Sequence, residues 1–314
     1  METAGISAPR SGAERSWWVL IAALLVLAVV GWTITDERMH DMDAGPGTDL
    51  GTLGFYVTAW VVMMAAMMFP SIWPMVVIYS RVQTGKQERG QEAPIGATVL
   101  FIAGYLVTWT VAGLVGYAVF DVARSLSIDA LSWDRGGPYL AGGVIVAAAI
   151  YQLTPLKDVC LSKCRNPLMF VLHSWQPGRL GALRMGTEHG AWCVGCCWAL
   201  MAALFALGVM SVGWMVFIAA LIAIEKLLPW KAVANRGIAV LLVVLGLAVA
   251  FAPEDVPGLT LPDSPDAARA MEAMGMEEES GGGGAMGTMD EEGEGSMEEG
   301  GTGGDEMRGD GMKR

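Results

Sequence analysis

Trp60-Val-Val-Met-Met-Ala-Ala-Met-Met-Phe-Pro-Ser71 is apolar until its final serine and holds four methionines within six positions. Together with its flanks it forms a run from about 53 to 79, long enough for a transmembrane helix. Six more apolar runs follow the same reading, at about 17–34, 95–120, 139–156, 190–208, 212–229 and 237–253. Hydrophobic residues make up 54% of the 314 residues and charged residues only 17%, which is too few charges for an ordinary soluble domain. The sequence therefore predicts an all-α, polytopic membrane bundle of about seven transmembrane helices over 1–253. Arg10 and Arg15 precede the first run as they would in a signal peptide. Val30-Gly31-Trp32-Thr33 is a poor cleavage site, however, so the run is read as an uncleaved helix.

The net charge of −12 belongs to one segment. From Glu254 onward there are 17 acidic and 4 basic residues, whereas the rest is nearly balanced. Residues 254–314 are rich in Gly, Glu, Asp and Met and are expected to be a disordered tail. Eight methionines, among them Met271, Met274 and Met276, give that tail soft donors, as does Met39-His-Asp-Met-Asp43. A low-complexity solubilising tail is the other reading. No basic patch with interleaved aromatics occurs, so no nucleic-acid partner is expected.

Lys and Arg favour the loops on one side of the predicted bundle, 13 against 3 outside the tail. This bias puts the amino terminus in the cytoplasm and the acidic tail outside the cell membrane. Tryptophans such as Trp18, Trp60, Trp109 and Trp230 fall near the predicted interfaces. Gly104, Gly113, Gly142 and Gly143 supply small helix-packing positions in the third and fourth runs.

Within the second run, Met63, Met67, Pro70 and Pro74 share a helical face. Met64, Met68, Ser71 and Met75 repeat that spacing one position on. The prolines deprive the carbonyls of Ala66 and Pro70 of their usual donors, and broken helices of this kind build ion sites in transporters. Packing by a flexible side chain is the alternative.

The five cysteines fall in two clusters. Cys160 and Cys164 are spaced i, i+4, and Cys193, Cys196 and Cys197 open the fifth run, near the cytoplasmic interface. In a reducing compartment these thiols read as metal ligands, as redox thiols or as packed core groups. Two pairs of sulfurs suit a tetrahedral Zn2+ site or a lower-coordinate Cu(I) site. His189 lies four residues before Cys193 and is a further candidate ligand; His173 reads as a surface residue. Glu225 and Lys226 close the sixth run as a salt-bridging pair or an ion-relay site. No Ser-His-Asp arrangement, phosphate-binding glycine loop or His-Glu-x-x-His occurs, so the chain leans away from an enzyme.

Four segments, taken in order, carry a resemblance. They are Met63-Met-Ala-Ala-Met-Met-Phe-Pro-Ser71, Tyr151-Gln-Leu-Thr-Pro-Leu-Lys-Asp-Val-Cys-Leu-Ser-Lys-Cys-Arg165, Gly190-Ala-Trp-Cys-Val-Gly-Cys-Cys-Trp-Ala-Leu-Met201 and Glu225-Lys-Leu-Leu-Pro229. Over roughly 50–250 the chain resembles a prokaryotic family of uncharacterised proteins described as predicted metal-binding integral membrane proteins. The resemblance implies a helical membrane protein with a metal site.

The expectation is thus a membrane protein that transports, delivers or buffers a soft metal, Cu(I) before Zn2+. Its metal ligands would come from Cys160, Cys164, Cys193, Cys196, Cys197, His189, Met63, Met64, Met67 and Met68. Its partners would be the lipid bilayer, the ion and other membrane or metal-carrier proteins. A metal-free membrane scaffold or assembly factor and a membrane thiol oxidoreductase are the alternatives.

Overall fold

The computed structural model describes residues 11–39, 43, 45–46, 50–90, 94, 96–125, 133, 135–262 and 264–273. Among these residues all regular structure is helical: α1 (Ser11–Met39), α2 (Leu53–Glu88), α3 (Ala97–Ser125), α4 (Gly137–Gln152), α5 (Pro155–Arg165), α6 (Pro167–His173), α7 (Gly178–Leu207), α8 (Val212–Leu227), α9 (Lys231–Phe251) and α10 (Pro265–Ala273). A 3-10 turn covers Pro253–Asp255.

Five helices, α1, α2, α3, α7 and α9, are long and apolar enough to cross a membrane. A sixth span results if α4 and α5, bent by 67° at their junction, count as one. The seven spans expected from sequence are therefore reduced: α4 and α8 have 16 residues each, fewer than a full crossing requires. The expected run at 139–156 is cut because Pro155 cannot donate to a continuing helix and Thr154 caps a new one, accepting from the Lys157 N–H.

α2 and α7 form the centre. Of their apolar stretches 61% and 56% are buried, against 28% for α1 and α3. α3 packs along α7, α4 along α9, and α1 along α2. Absent side chains set these approaches. A Cβ on Gly186 would stand 2.0 Å from the Phe101 carbonyl oxygen, and one on Gly104 2.2 Å from that of Leu183. Gly142 and Gly246 play the same part between α4 and α9, where added Cβ atoms would lie 2.4 and 2.8 Å from the opposing carbonyl oxygens. Gly143, in contrast, faces open space.

Trp60 and Trp109 are core residues rather than interfacial ones. The Trp60 indole donates to the Trp109 carbonyl at 2.9 Å, and one turn away Tyr56 donates to the Gly113 carbonyl. Trp18 and Trp230 are exposed, as expected of interface anchors.

α1 and α2 run antiparallel. Arg81 stacks on Trp17 and Lys86 on Trp175, which gathers the start of α1, the end of α2 and the approach to α7. At the other end Thr260 donates to Asp43 at 3.1 Å, Gly208 lies beside Asp43, and Tyr117 donates to the Gly51 carbonyl.

α2 runs unbroken through Pro70 and Pro74, so those prolines do not split it. At the start of the expected tail, Val256 is buried in the core, Thr260 donates to Asp43, and α10 follows. Residues 40–42 and the tail methionines beyond Met271 lie outside the described residues.

Candidate metal centre

α7 begins at Gly178, twelve residues before the apolar run that marks it in the sequence. Arg179 and Arg184 read as loop residues, yet both are exposed on the helix, and Glu188 accepts from Ser174 at 2.8 Å. The earlier start moves Cys193, Cys196 and Cys197 from the expected interface to the middle of α7. All three are fully buried.

Their i, i+3, i+4 spacing puts the thiols on one turn. The three sulfurs lie within 4.8 Å of one another, with Cys196 and Cys197 3.3 Å apart. A fourth sulfur comes from the last turn of α5, where Cys164 Sγ stands 3.8 Å from Cys196 Sγ. All five cysteines are free thiols. Cys160, one turn earlier, lies instead against the bare backbone of Gly195, where an added Cβ would be 2.9 Å from its sulfur.

Charged groups surround the sulfurs. Lys226, at the end of α8, donates to Cys193 Sγ at 3.0 Å, and the Tyr105 hydroxyl of α3 lies 3.1 Å from the same atom. Lys157 pairs with Glu225 at 2.7 Å, both side chains buried, and also donates to the Cys196 carbonyl at 2.8 Å. Arg165 donates to the carbonyls of Glu225 and Leu228 and so closes the C-terminal end of α8. Buried charges are retained when paired and hydrogen-bonded, as these are. Glu225 is paired with Lys157 of α5 rather than with its neighbour Lys226, which turns to sulfur.

His189, one turn before Cys193, is 2% exposed and sits among the rings of Phe101, Tyr105 and Phe170. Its Nδ1 has no hydrogen-bond partner among the described residues. It lines a cavity of about 40 Å³ with Ser71, Pro74 and Met75 of α2, Cys164 and Arg165 of α5, and Lys226 of α8. That volume is large enough for a water or an ion. His173 is exposed, with its Nδ1 against the Met169 carbonyl.

Met63, Met64, Met67 and Met68 are buried in α2. The part of α2 that reaches the cavity is Ser71 to Met75, one to two turns beyond them. Lys157, Arg165 and Tyr105 were missed as site residues, and Lys226 was noted only beside Glu225. Thr154-Pro155, a cap followed by a first-turn proline, is the sequence signal that would have placed Lys157 and Arg165 on a helix.

The fold and site define a helical bundle with a buried, soft-donor cysteine centre framed by paired charges. Residues 57–249 match the model of a family described as PpoB2, copper chaperone. The match runs from α2 to α9 and covers more than half of the chain, which therefore belongs to that family. No curated protein and no solved structure matches it. Family and thiol cluster together support a copper-handling, metal-binding protein.

Proposed function

We propose that this chain is an integral membrane copper chaperone that holds Cu(I) on Cys193, Cys196, Cys197 and Cys164 and hands it to an acceptor protein. The observation that carries this reading is the meeting of four free thiols from α5 and α7 at one buried point. Soft sulfur donors select Cu(I) over harder ions. A Cu(I) ion held by two thiolates carries one net negative charge, which the Lys226 ammonium offsets. Four sulfurs also suit Zn2+, and the family description favours copper.

Exposed apolar faces support membrane insertion: Val19, Val26 and Val29 on α1, Val107 and Val111 on α3, Val240 and Val244 on α9. Apolar surface this extensive is covered by lipid or by protein. The sided charge bias supports a cytoplasmic amino terminus and a tail outside the cell membrane. Met64, Met68 and Met75 share one face of α2 that ends at the cavity, a thioether path about 16 Å long at 1.5 Å per residue. In this reading the ion travels along that face.

Metal analysis of detergent-purified protein tests the proposal. Wild type loaded anaerobically retains Cu(I), and the combined Cys193→Ser, Cys196→Ser and Cys197→Ser variant loses it from the thiol centre. Sulfur scattering in the copper X-ray absorption spectrum that is the same in both proteins, or absent from wild type, overturns the reading and favours a metal-free scaffold.

A further inference from the structure

The cavity beside the thiol cluster has a donor set of its own. His189 brings an imidazole, Met75 a thioether and Cys164 a thiol, from three different helices, to the wall of one space. His189 is buried against three aromatic rings, and its Nδ1 is unpartnered among the described residues. A buried polar atom with no partner is costly unless a ligand completes it. Cys164 faces two ways: it lines the cavity and stands 3.8 Å from Cys196 Sγ. The cations on the same wall are engaged elsewhere, Arg165 with the carbonyls that end α8 and Lys226 with Cys193 Sγ.

We infer that the cavity is a second Cu(I) site, with His189, Met75 and Cys164 as ligands, which feeds the thiol cluster through Cys164. This inference rests on the copper reading above. Imidazole, thioether and thiolate are all donors for Cu(I). The Cys164 thiol gives up its proton on binding, and its thiolate then neutralises the ion. Transfer is a ligand exchange with no change of oxidation state. Cu(I) keeps its bond to Cys164 while bonds to Cys196 and its neighbours form and those to His189 and Met75 break; the protons of Cys164 and of the receiving thiols leave to water as their Cu–S bonds form. Cys164 is the pivot, which gives a geometric reason for a sulfur on α5 rather than a fourth on α7.

Anaerobic titration of the full chain in detergent, with Cu(I) supplied as a bicinchoninate complex, tests this. Wild type is expected to take up about two ions per chain, with nitrogen and sulfur scatterers in the copper X-ray absorption spectrum. His189→Gln and, separately, Met75→Leu should each lower uptake to about one ion, and His189→Gln should also remove the nitrogen scatterer while sulfur remains. The cysteine triple variant should keep about one ion, bound through nitrogen and sulfur. Met75→Leu conserves volume, so it guards against a loss caused by misfolding alone.

Uptake of only one ion by wild type, lost in the triple variant and indifferent to His189 and Met75, overturns this inference and leaves the thiol centre standing; the cavity then holds only water. An absence of copper in every variant overturns both readings.

Discussion

Glu225→Gln provides the sharpest test of how the centre is held together. The carboxylate lies 2.7 Å from the Lys157 ammonium, and neither side chain is more than 1% exposed. At an effective dielectric of about 20 that contact amounts to roughly 6 kcal/mol of attraction, most of it offsetting the desolvation of both ions. Deleting the negative charge strands Lys157 in the interior beside a second ammonium, Lys226, so the expected loss is about 3–5 kcal/mol. For a chain of this size each kcal/mol corresponds to about 2–4 °C, so the midpoint should fall by roughly 10 °C. The double variant Lys157→Met, Glu225→Leu removes both charges, and should recover most of that loss, short of about 1 kcal/mol for the bond to the Cys196 carbonyl. The assay is thermal unfolding in one detergent at one scan rate, since irreversible unfolding makes midpoints rate-dependent. A single variant within about 2 °C of wild type, or a double variant no better than the single, would refute the claim that these charges are buried against each other.

Cys164→Ser should weaken Cu(I) binding at least tenfold in competition with a chromogenic chelator, whereas Cys160→Ser, on the Gly195 side of α5, should leave it within about twofold. Gly186→Val should destabilise by more than about 3 kcal/mol or abolish expression of folded protein, because its Cβ meets the Phe101 carbonyl; Gly143→Ala should change stability by less than about 0.5 kcal/mol, both read by thermal unfolding. Truncation before Glu254 removes buried Val256 and the Thr260 bond to Asp43 and should lower the unfolding midpoint, while truncation after Ala273 should not. Met64→Leu with Met68→Leu should slow copper loading in stopped-flow measurements, at least threefold, and leave the final copper content unchanged.

Helix existence was legible because a membrane-length apolar run has few other readings. Helix beginnings were not, since α7 starts in a segment whose Arg179, Arg184 and Glu188 resemble a loop; these groups are tolerated because they face outward or pair locally. The triplet Cys193, Cys196 and Cys197 could be read from spacing alone, since one helical turn fixes it. Cys160 and Cys164 could not be told apart. Both lie on the same face of α5, yet one turn of rise, about 6 Å, carries one sulfur to the cluster and the other to Gly195. Lys157 entered the sequence reading as a cytoplasmic loop charge and Lys226 as the neighbour of Glu225 at the end of the sixth run. A buried cation reveals itself only through its partner, and those partners, Glu225 and Cys193, are 68 and 33 residues away.

The sequence offered a helix broken at Pro70 and Pro74 as one way to build an ion site, with packing as the other reading. The breaks that matter lie on other helices. α4 and α8, at 16 residues and about 24 Å, end well short of the roughly 45 Å spanned by the 30 residues of α7. Cys193 to Cys197 occupy the sixteenth to twentieth positions of α7, roughly 23–29 Å from its start. The two short helices therefore stop near that level. What they deliver there is chemically distinct: the chain after α4 turns by 67° into α5 and presents Lys157, Cys164 and Arg165, and the end of α8 presents Glu225 and Lys226. A continuous helix across the bundle would satisfy its own backbone groups but would fill the space that those side chains occupy. Ending it frees carbonyls, and Arg165 satisfies two of them. The shortness of α4 and α8 and the presence of paired charges beside buried thiols are thus one structural fact: α7 supplies three of the sulfurs, α5 the fourth, and α5 and the end of α8 supply the charged groups around them.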